Sequence, residues 1–207
     1  MVQVGIMGIC QLKLNDNSIL EIEFKDGEYV IDCGANIGNV TDIFNNAGAN
    51  VIAFEPNKHA FEILQTRFVY SKNVRCFKKG VVGKSPGKKK LFMHKSSGLD
   101  EITYSTGSSI IEGKNNINTE KYEEIDTIRL SSFIKKFNKD IKVLKIDIEG
   151  AEVGLLNDLM DTGVARNIPY IFVETHEEKI PSLKKETEAL KIRIKNEGYT
   201  NINLNWI

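Results

Sequence analysis

Four acidic residues stand where an apolar run gives out: Asp32 after YVI, Glu55 after VIAF, Asp147 after IKVLKI and Glu174 after YIFV. A carboxylate in such a place can accept from the hydroxyl or ammonium groups of a ligand, or take a proton from a substrate. In open α/β sheets ligands bind outside the carboxyl ends of the strands, so four strand-end acids would border one crevice. Asp32 also opens a glycine-rich stretch, with Gly34 and Gly38 on either side of Asn36. Gly34 permits a tight turn and a close backbone approach, and Gly38 lets a ligand or a helix lie near the strand. Glu55, ending the next strand, is placed to accept both hydroxyls of a ribose. An acid at a strand end is common; a glycine loop followed by one strand-end acid, in that order, is less so.

The loop is not the dinucleotide fingerprint GxGxxG, which leaves a helix N-terminus clear for a pyrophosphate. S-adenosylmethionine has no phosphate, and an acid such as Asp32 suits its amino-acid end. A Gly34→Val change is expected to abolish cofactor binding while largely retaining the fold.

The stretch Asp147-Ile148-Glu149-Gly150-Ala151-Glu152 holds three carboxylates in six positions. Like charges raise one another's pKa, so burying them together is costly. Glu152 therefore reads as a solvated helix-start acid complementing the macrodipole, Asp147 as the strand-end acid facing the ligand crevice, and Glu149 as shaping the same cleft. Strand alternation puts Glu174 and His176 on one side, and an imidazole titrating near about pH 6.5 can act as a base. Asp147, Glu174 and His176 are the catalytic candidates for proton acceptance, and the residues alone do not choose among them. His59 and His94 have no such company. Asp147, Glu149, Glu174 and His176 could together hold Mg²⁺, but no recognisable spacing accompanies them and no metal is expected.

The elements that must position these groups alternate. Residues 12–24 read as a β-hairpin around Asn15–Asn17. Strands are expected over 29–32, 51–54, 74–77, 141–146 and 170–173, and 199–207 alternates as a terminal strand. Residues 91–94 are expected to pair with the third strand across a turn at 84–87. Helices are expected over 41–47, with Ile43, Phe44 and Ala47 inward, and over 57–69, 131–137, 151–160 and 181–197. Residues 95–120, rich in Ser, Gly and Asn, read as a long functional loop or lid. Strands alternating with helices argue an α/β fold with a mainly parallel sheet.

The chain has 207 residues, enough for one domain with a small appendage. Lys plus Arg and Asp plus Glu each number 28, which weighs against an electrostatic, sequence-independent nucleic-acid binder. The three cysteines, Cys10, Cys33 and Cys76, have no CxxC spacing; they read as reduced thiols of a cytoplasmic protein. No apolar run approaches the roughly 20 residues of a spanning helix.

The strings VIDCGANIGNV, AFEPN, VLKIDIEGAE and FVETHE, in this order, resemble the FkbM family of S-adenosylmethionine-dependent methyltransferases, over roughly residues 29–198. GSSIIEG at 107–113 is similar to the family's small-residue segment, and Cys33 departs from the usual aliphatic residue. The resemblance implies a class I methyltransferase (Rossmann-like) fold: a three-layer sandwich around a mainly parallel seven-stranded sheet, here residues 28–207, with residues 1–27 as an N-terminal β-hairpin extension. It implies methyl transfer to a hydroxyl oxygen of a sugar, glycolipid or polyketide-type product, with a glycosyltransferase module as a fused or associated partner. The cofactor set is then Asp32, Gly34, Asn36, Gly38, Glu55, Asn57 and Asp147.

Three alternatives remain. A nicotinamide-dependent oxidoreductase shares the opening and the ribose acid but lacks GxGxxG. An RNA methyltransferase would use the basic stretch Lys78, Lys79, Lys84 and Lys88–Lys90 on phosphates; no aromatic interleaving accompanies it, and a solvated hairpin tip is the plainer reading. A non-catalytic module of a larger assembly would be expected to have lost the motif acids, which are present.

Overall fold

Successive residues of the central strands point to opposite faces, and both faces are apolar, as a covered parallel sheet requires. Ile31, Ile52, Leu144 and Ile171 enter one core, and Val30, Val51, Val143 and Phe172 the other. The computed structural model describes residues 6–13, 18–94, 117–204 and 206. The expected turn at 15–17, GSSIIEG and most of the expected lid lie outside these residues.

In chain order the elements are β1 (Ile6–Lys13), β2 (Ile19–Lys25), β3 (Tyr29–Cys33), α1 (Asn39–Asn46), β4 (Asn50–Phe54), α2 (Lys58–Arg67), β5 (Val74–Phe77), β6 (Gly80–Val82), β7 (Gly87–His94), β8 (Ile117–Arg129), α3 (Leu130–Phe137), β9 (Ile141–Ile146), α4 (Glu152–Asp161), β10 (Tyr170–Val173), α5 (Lys184–Asn196) and β11 (Ile202–Asn203). The main sheet runs β11-β10-β9-β3-β4-β5, every pair parallel. Strand order reverses between β3 and β9, which puts the ligand-binding crevice of such a sheet at their carboxyl ends. One face is covered by α3, α4 and α5, the other by α1, α2 and the antiparallel pair β1–β2.

The fold is thus α/β with a parallel sheet, but four local expectations change. Among the described residues the main sheet has six strands, not seven. The 91–94 segment does not pair with the third strand: β7 lies antiparallel to β8, with β6 parallel on its other edge, in a separate three-stranded sheet. β8 supplies a longer ladder than a local turn could. Helix α1 starts at Asn39 and buries Thr41 and Phe44, with Ala47 behind, while Ile43 is 44% exposed. Among the described residues of 199–207 the two of β11 are strand, and Tyr199 and Trp206 are taken into the two cores.

Candidate functional site

Register builds the centre of the site. Asp32 on β3 lies opposite Lys145 on β9. Both side chains are buried, with Lys145 Nζ 3.3 Å from Asp32 Oδ1 and 3.4 Å from Asp147 Oδ2. Nζ also donates to the Gly34 carbonyl at 2.8 Å, and Thr41 Oγ1 donates to Asp32 Oδ2 at 2.7 Å. Burial by itself would depress the Lys145 pKa; the charges of Asp32 and Asp147 outweigh it and hold the ammonium well above its ordinary range. Lys145 went unnoticed in the sequence. Its signal was the second of two lysines in the otherwise apolar run IKVLKI, two residues before a strand-end acid.

The two glycines have distinct tasks. Gly34, at φ +77°, lies so close to β9 that a Cβ would fall 1.7 Å from the Asp147 carbonyl oxygen. The approach it permits is of backbone to backbone, which corrects the expectation that Gly34→Val would spare the fold. At Gly38, φ +90°, a Cβ would meet the Phe68 ring at 2.5 Å and Leu64 at 2.8 Å. Gly38 therefore makes room for the packing of α2 against the loop.

Glu55 leaves β4 with both oxygens anchored. Oε2 accepts from the Asn36 amide and Oε1 from the Asn57 amide, each at 2.8 Å. Asn57 in turn caps α2, its Oδ1 accepting from the amides of His59 and Ala60. Burial pushes the Glu55 carboxyl up to about 7 despite these two donors. Asn36 reaches its amide toward Glu55 by taking φ +51°.

The turn after β9 is shaped by Glu152, which is buried rather than solvated at the helix start. Its Oε1 accepts from the amides of Ile148 and Gly150 at 3.1 and 2.9 Å and meets His176 Nδ1 at 2.9 Å. Burying this acid is tolerable because three donors converge on one oxygen. The turn holds Glu149 at φ +57° and Gly150 at +116°, a strained conformation of the kind that gathers at functional sites. His176 Nε2 then faces Glu149 Oε2 at 3.2 Å, Glu174 Oε1 at 3.5 Å and Asp147 Oδ1 at 3.7 Å. Burial would lower the His176 pKa, but the Glu152 hydrogen bond and the surrounding carboxylates raise it above the ordinary value.

These groups border a cleft of about 560 Å³ at the carboxyl ends of β3, β4, β9 and β10, within the usual range for small-molecule sites. Gly34, Asn36, Glu55, Asp147 and Glu174 line it, joined by Lys145, Glu149 and Lys179. Its far wall is apolar and comes from the small sheet, through Val81, Leu91 and Ile125. Four expected site residues stand behind the lining. Asp32 holds Lys145, Gly38 admits α2, Asn57 anchors Glu55, and His176 supports the carboxylates. The basic stretch is largely engaged by β8: Lys78 pairs with Glu123 at 3.0 Å, Lys88 with Glu124, and Lys90 sits 4.1 Å over the Tyr122 ring.

The arrangement can bind a ribose at Glu55, an ammonium or hydroxyl near Asp147, and a proton on any of three carboxylates. In Arabidopsis thaliana a chloroplastic ribosomal RNA small subunit methyltransferase is 28% identical over 69 residues, which are 33% of this chain and 20% of that protein. The chain thus spans about a fifth of that relative's length. A yeast methylglyoxal/isovaleraldehyde reductase solved with NADPH has a TM-score of 0.40 at 12% identity, covering 72% of this chain and 37% of its own. A family model described as the methyltransferase FkbM domain matches residues 32–200, from the first strand-end acid through the glycine loop, Glu55, the 147–152 turn and His176. By that match the chain belongs to the FkbM methyltransferase domain family.

Proposed function

We propose that the protein transfers the methyl group of S-adenosylmethionine to a hydroxyl oxygen of a sugar or glycan. The observation that carries this reading is Glu55, an anchored carboxylate facing the cleft beside a glycine loop that lacks a pyrophosphate fingerprint. Its two oxygens keep lone pairs for the ribose hydroxyls. Gly34, Asn36 and Asp147 would hold the methionine end, and the apolar wall at Val81 and Ile125 would take the adenine.

The sulfonium is already an activated donor, so the protein must chiefly place the acceptor oxygen in line with the S–CH₃ bond, about 3–3.5 Å away. The oxygen's lone pair forms the new C–O bond, the S–CH₃ electron pair stays on sulfur, and the hydroxyl proton leaves to a base. Asp147 and Glu174 line the cleft and can take it directly; His176 lies behind them. Such a base contributes about 10²–10⁴-fold.

Calorimetry with S-adenosylmethionine and with NADPH separates this reading from the oxidoreductase one: binding of the first and not the second is expected, and the reverse would overturn it. Mass spectrometry of sugars, glycans and RNA incubated with the protein and S-adenosylmethionine then names the acceptor. A methylated hydroxyl on a sugar or glycan is the expected product. Methylation of RNA alone would move the reading to the acceptor class of the Arabidopsis relative.

A further inference from the structure

The buried His176 ring is held from one side and unanswered on the other. Nδ1 is fixed by Glu152 Oε1, whereas Nε2, fully buried, makes no hydrogen bond among the described residues. It points into a group of three carboxylates, with oxygens of Glu149, Glu174 and Asp147 3.2–3.7 Å away. A neutral imidazole whose Nδ1 donates to a carboxylate presents a bare lone pair at Nε2. A lone pair aimed at three anionic oxygens is repulsive unless a proton or a metal cation lies between them.

We infer that Asp147, Glu149 and His176, with Glu174 beside them, form a binding site for one divalent cation at the floor of the cleft. The donor atoms of Asp147, Glu149 and His176 all lie within 4.8 Å of one another. Ligands on opposite sides of an ion with bonds of about 2.0–2.4 Å stand about 4.0–4.8 Å apart, so one ion spans this set. The Glu152–His176 contact is the carboxylate–histidine support that orients a metal-bound imidazole and fixes its tautomer. Glu152 does this while its same oxygen holds the strained turn that carries Glu149. Among the described residues the cations nearby are Lys145 and Lys179, 3.4 Å from Asp147 and 3.3 Å from Glu174. With Lys145 also shared by Asp32, two ammonium groups face five carboxylates here: Asp32, Asp147, Glu149, Glu152 and Glu174. One nitrogen with carboxylate oxygens suits a first-row divalent ion such as Mn²⁺.

The site deepens the methyl-transfer reading and rests on it for its use. Asp147, Glu149 and Glu174 line the cleft, so open positions on the ion would face the acceptor. An acceptor hydroxyl bound there is made more acidic. Its proton passes to water or a cleft carboxylate, its oxygen forms the C–O bond, and the S–CH₃ electrons stay on sulfur. The acceptor class this favours has two adjacent oxygens, a vicinal diol or hydroxy acid able to chelate.

The test is Mn²⁺ added alone to chelator-treated full-length protein, read by electron paramagnetic resonance, with S-adenosylmethionine affinity measured separately by calorimetry. One bound Mn²⁺ per chain is expected. Glu152→Gln should weaken it about 10–100-fold, the usual scale for an orienting partner, and Glu149→Gln at least as much. Glu55→Gln should bind Mn²⁺ like the wild type while losing affinity for S-adenosylmethionine. Because the buried Glu152 change can unfold the chain, the wild type supplies a second measurement: Mn²⁺ should broaden the His176 ring resonances selectively. No Mn²⁺ bound at millimolar concentration, equal affinity in Glu149→Gln, or no broadening at His176 would overturn the cation site. None of these outcomes touches the cofactor reading, which fails only if S-adenosylmethionine does not bind.

Discussion

Glu55 shows how a residue-scale compromise serves a site. Its carboxyl is pushed up to about 7 by burial, so near neutrality a part of the population carries a proton and offers one acceptor fewer to a ribose. S-adenosylmethionine affinity should therefore rise as pH is taken up through about 7 and then level off. Calorimetry across pH should show this in the wild type and a flat profile in Glu55→Gln. Glu55→Ala should cost about 1–3 kcal/mol of binding, the scale for charged hydrogen bonds. Stability moves the other way. Because the folded pKa lies above the ordinary value of 4.5, the unfolded chain releases this proton first, and stability falls as pH rises between the two values. Glu55→Gln should accordingly lose this fall in stability with pH, although its NH2 cannot accept from one of the two amides that Glu55 holds. Lys145→Met would leave Asp32 buried without its counter-charge, and thermal or denaturant unfolding should report a loss of about 3–5 kcal/mol.

At the scale of elements, the site depends on how closely β3 and β9 approach. The Asp147 amide donates to the Cys33 carbonyl at 3.0 Å, and the Gly34 and Ala35 amides both reach the Phe54 carbonyl. Gly34→Ala would drive a methyl group into the Asp147 carbonyl, and no side chain there can yield. We expect it to separate the two strand ends, lowering the melting temperature by many degrees and abolishing cofactor binding together with it. Melting unchanged with binding lost would instead mean that the ligand, not β9, fills that space. A second tie joins β8 and α3 to α4: Asp158 accepts from Arg129 Nε and Nη2 and from Ser131 Oγ. These partners hold the buried carboxyl below its ordinary range against the desolvation that would raise it. Asp158→Ala should cost about 2–3 kcal/mol or more, and the wild-type contribution should be lost as pH falls through the depressed folded value.

For the whole molecule, the amino-terminal pair β1–β2 belongs to the second core. Cys10, Leu12, Ile22 and Phe24 are buried against Val30, Phe44 and Ala47, and Trp206 from the other terminus packs in the same cluster. At about 1.5–3 kcal/mol for a fully buried large apolar side chain, Leu12, Ile22 and Phe24 alone contribute on the order of 4–9 kcal/mol. That is comparable with the net stability of a typical domain, about 5–15 kcal/mol. Deleting residues 1–27 should therefore give an aggregating or partly folded protein, seen as lost cooperativity in thermal melts. A deletion variant that melts like the full chain would show instead that residues 1–27 are a dispensable extension.

Strand alternation, the glycine loop and the acids at the ends of apolar runs are local features, and the sequence by itself determined them: the parallel α/β class, the crevice at the strand ends, and Gly34, Asn36, Glu55, Asp147 and Glu174 along its wall. Contacts between strands far apart in the chain were decided only in three dimensions. Lys145 became central because register set it opposite Asp32 across 113 positions of sequence, a pairing no local pattern encodes. Glu152 looked like a solvated helix-start acid because its three donors come from a turn and from a histidine on the next strand's loop. Residues 87–94 paired with residues 23 to 40 positions on rather than with their neighbours, since the longer ladder and its buried face outweigh the short loop. Local chemistry chose which residues face the cleft; burial and long-range register chose which charges neutralise one another there.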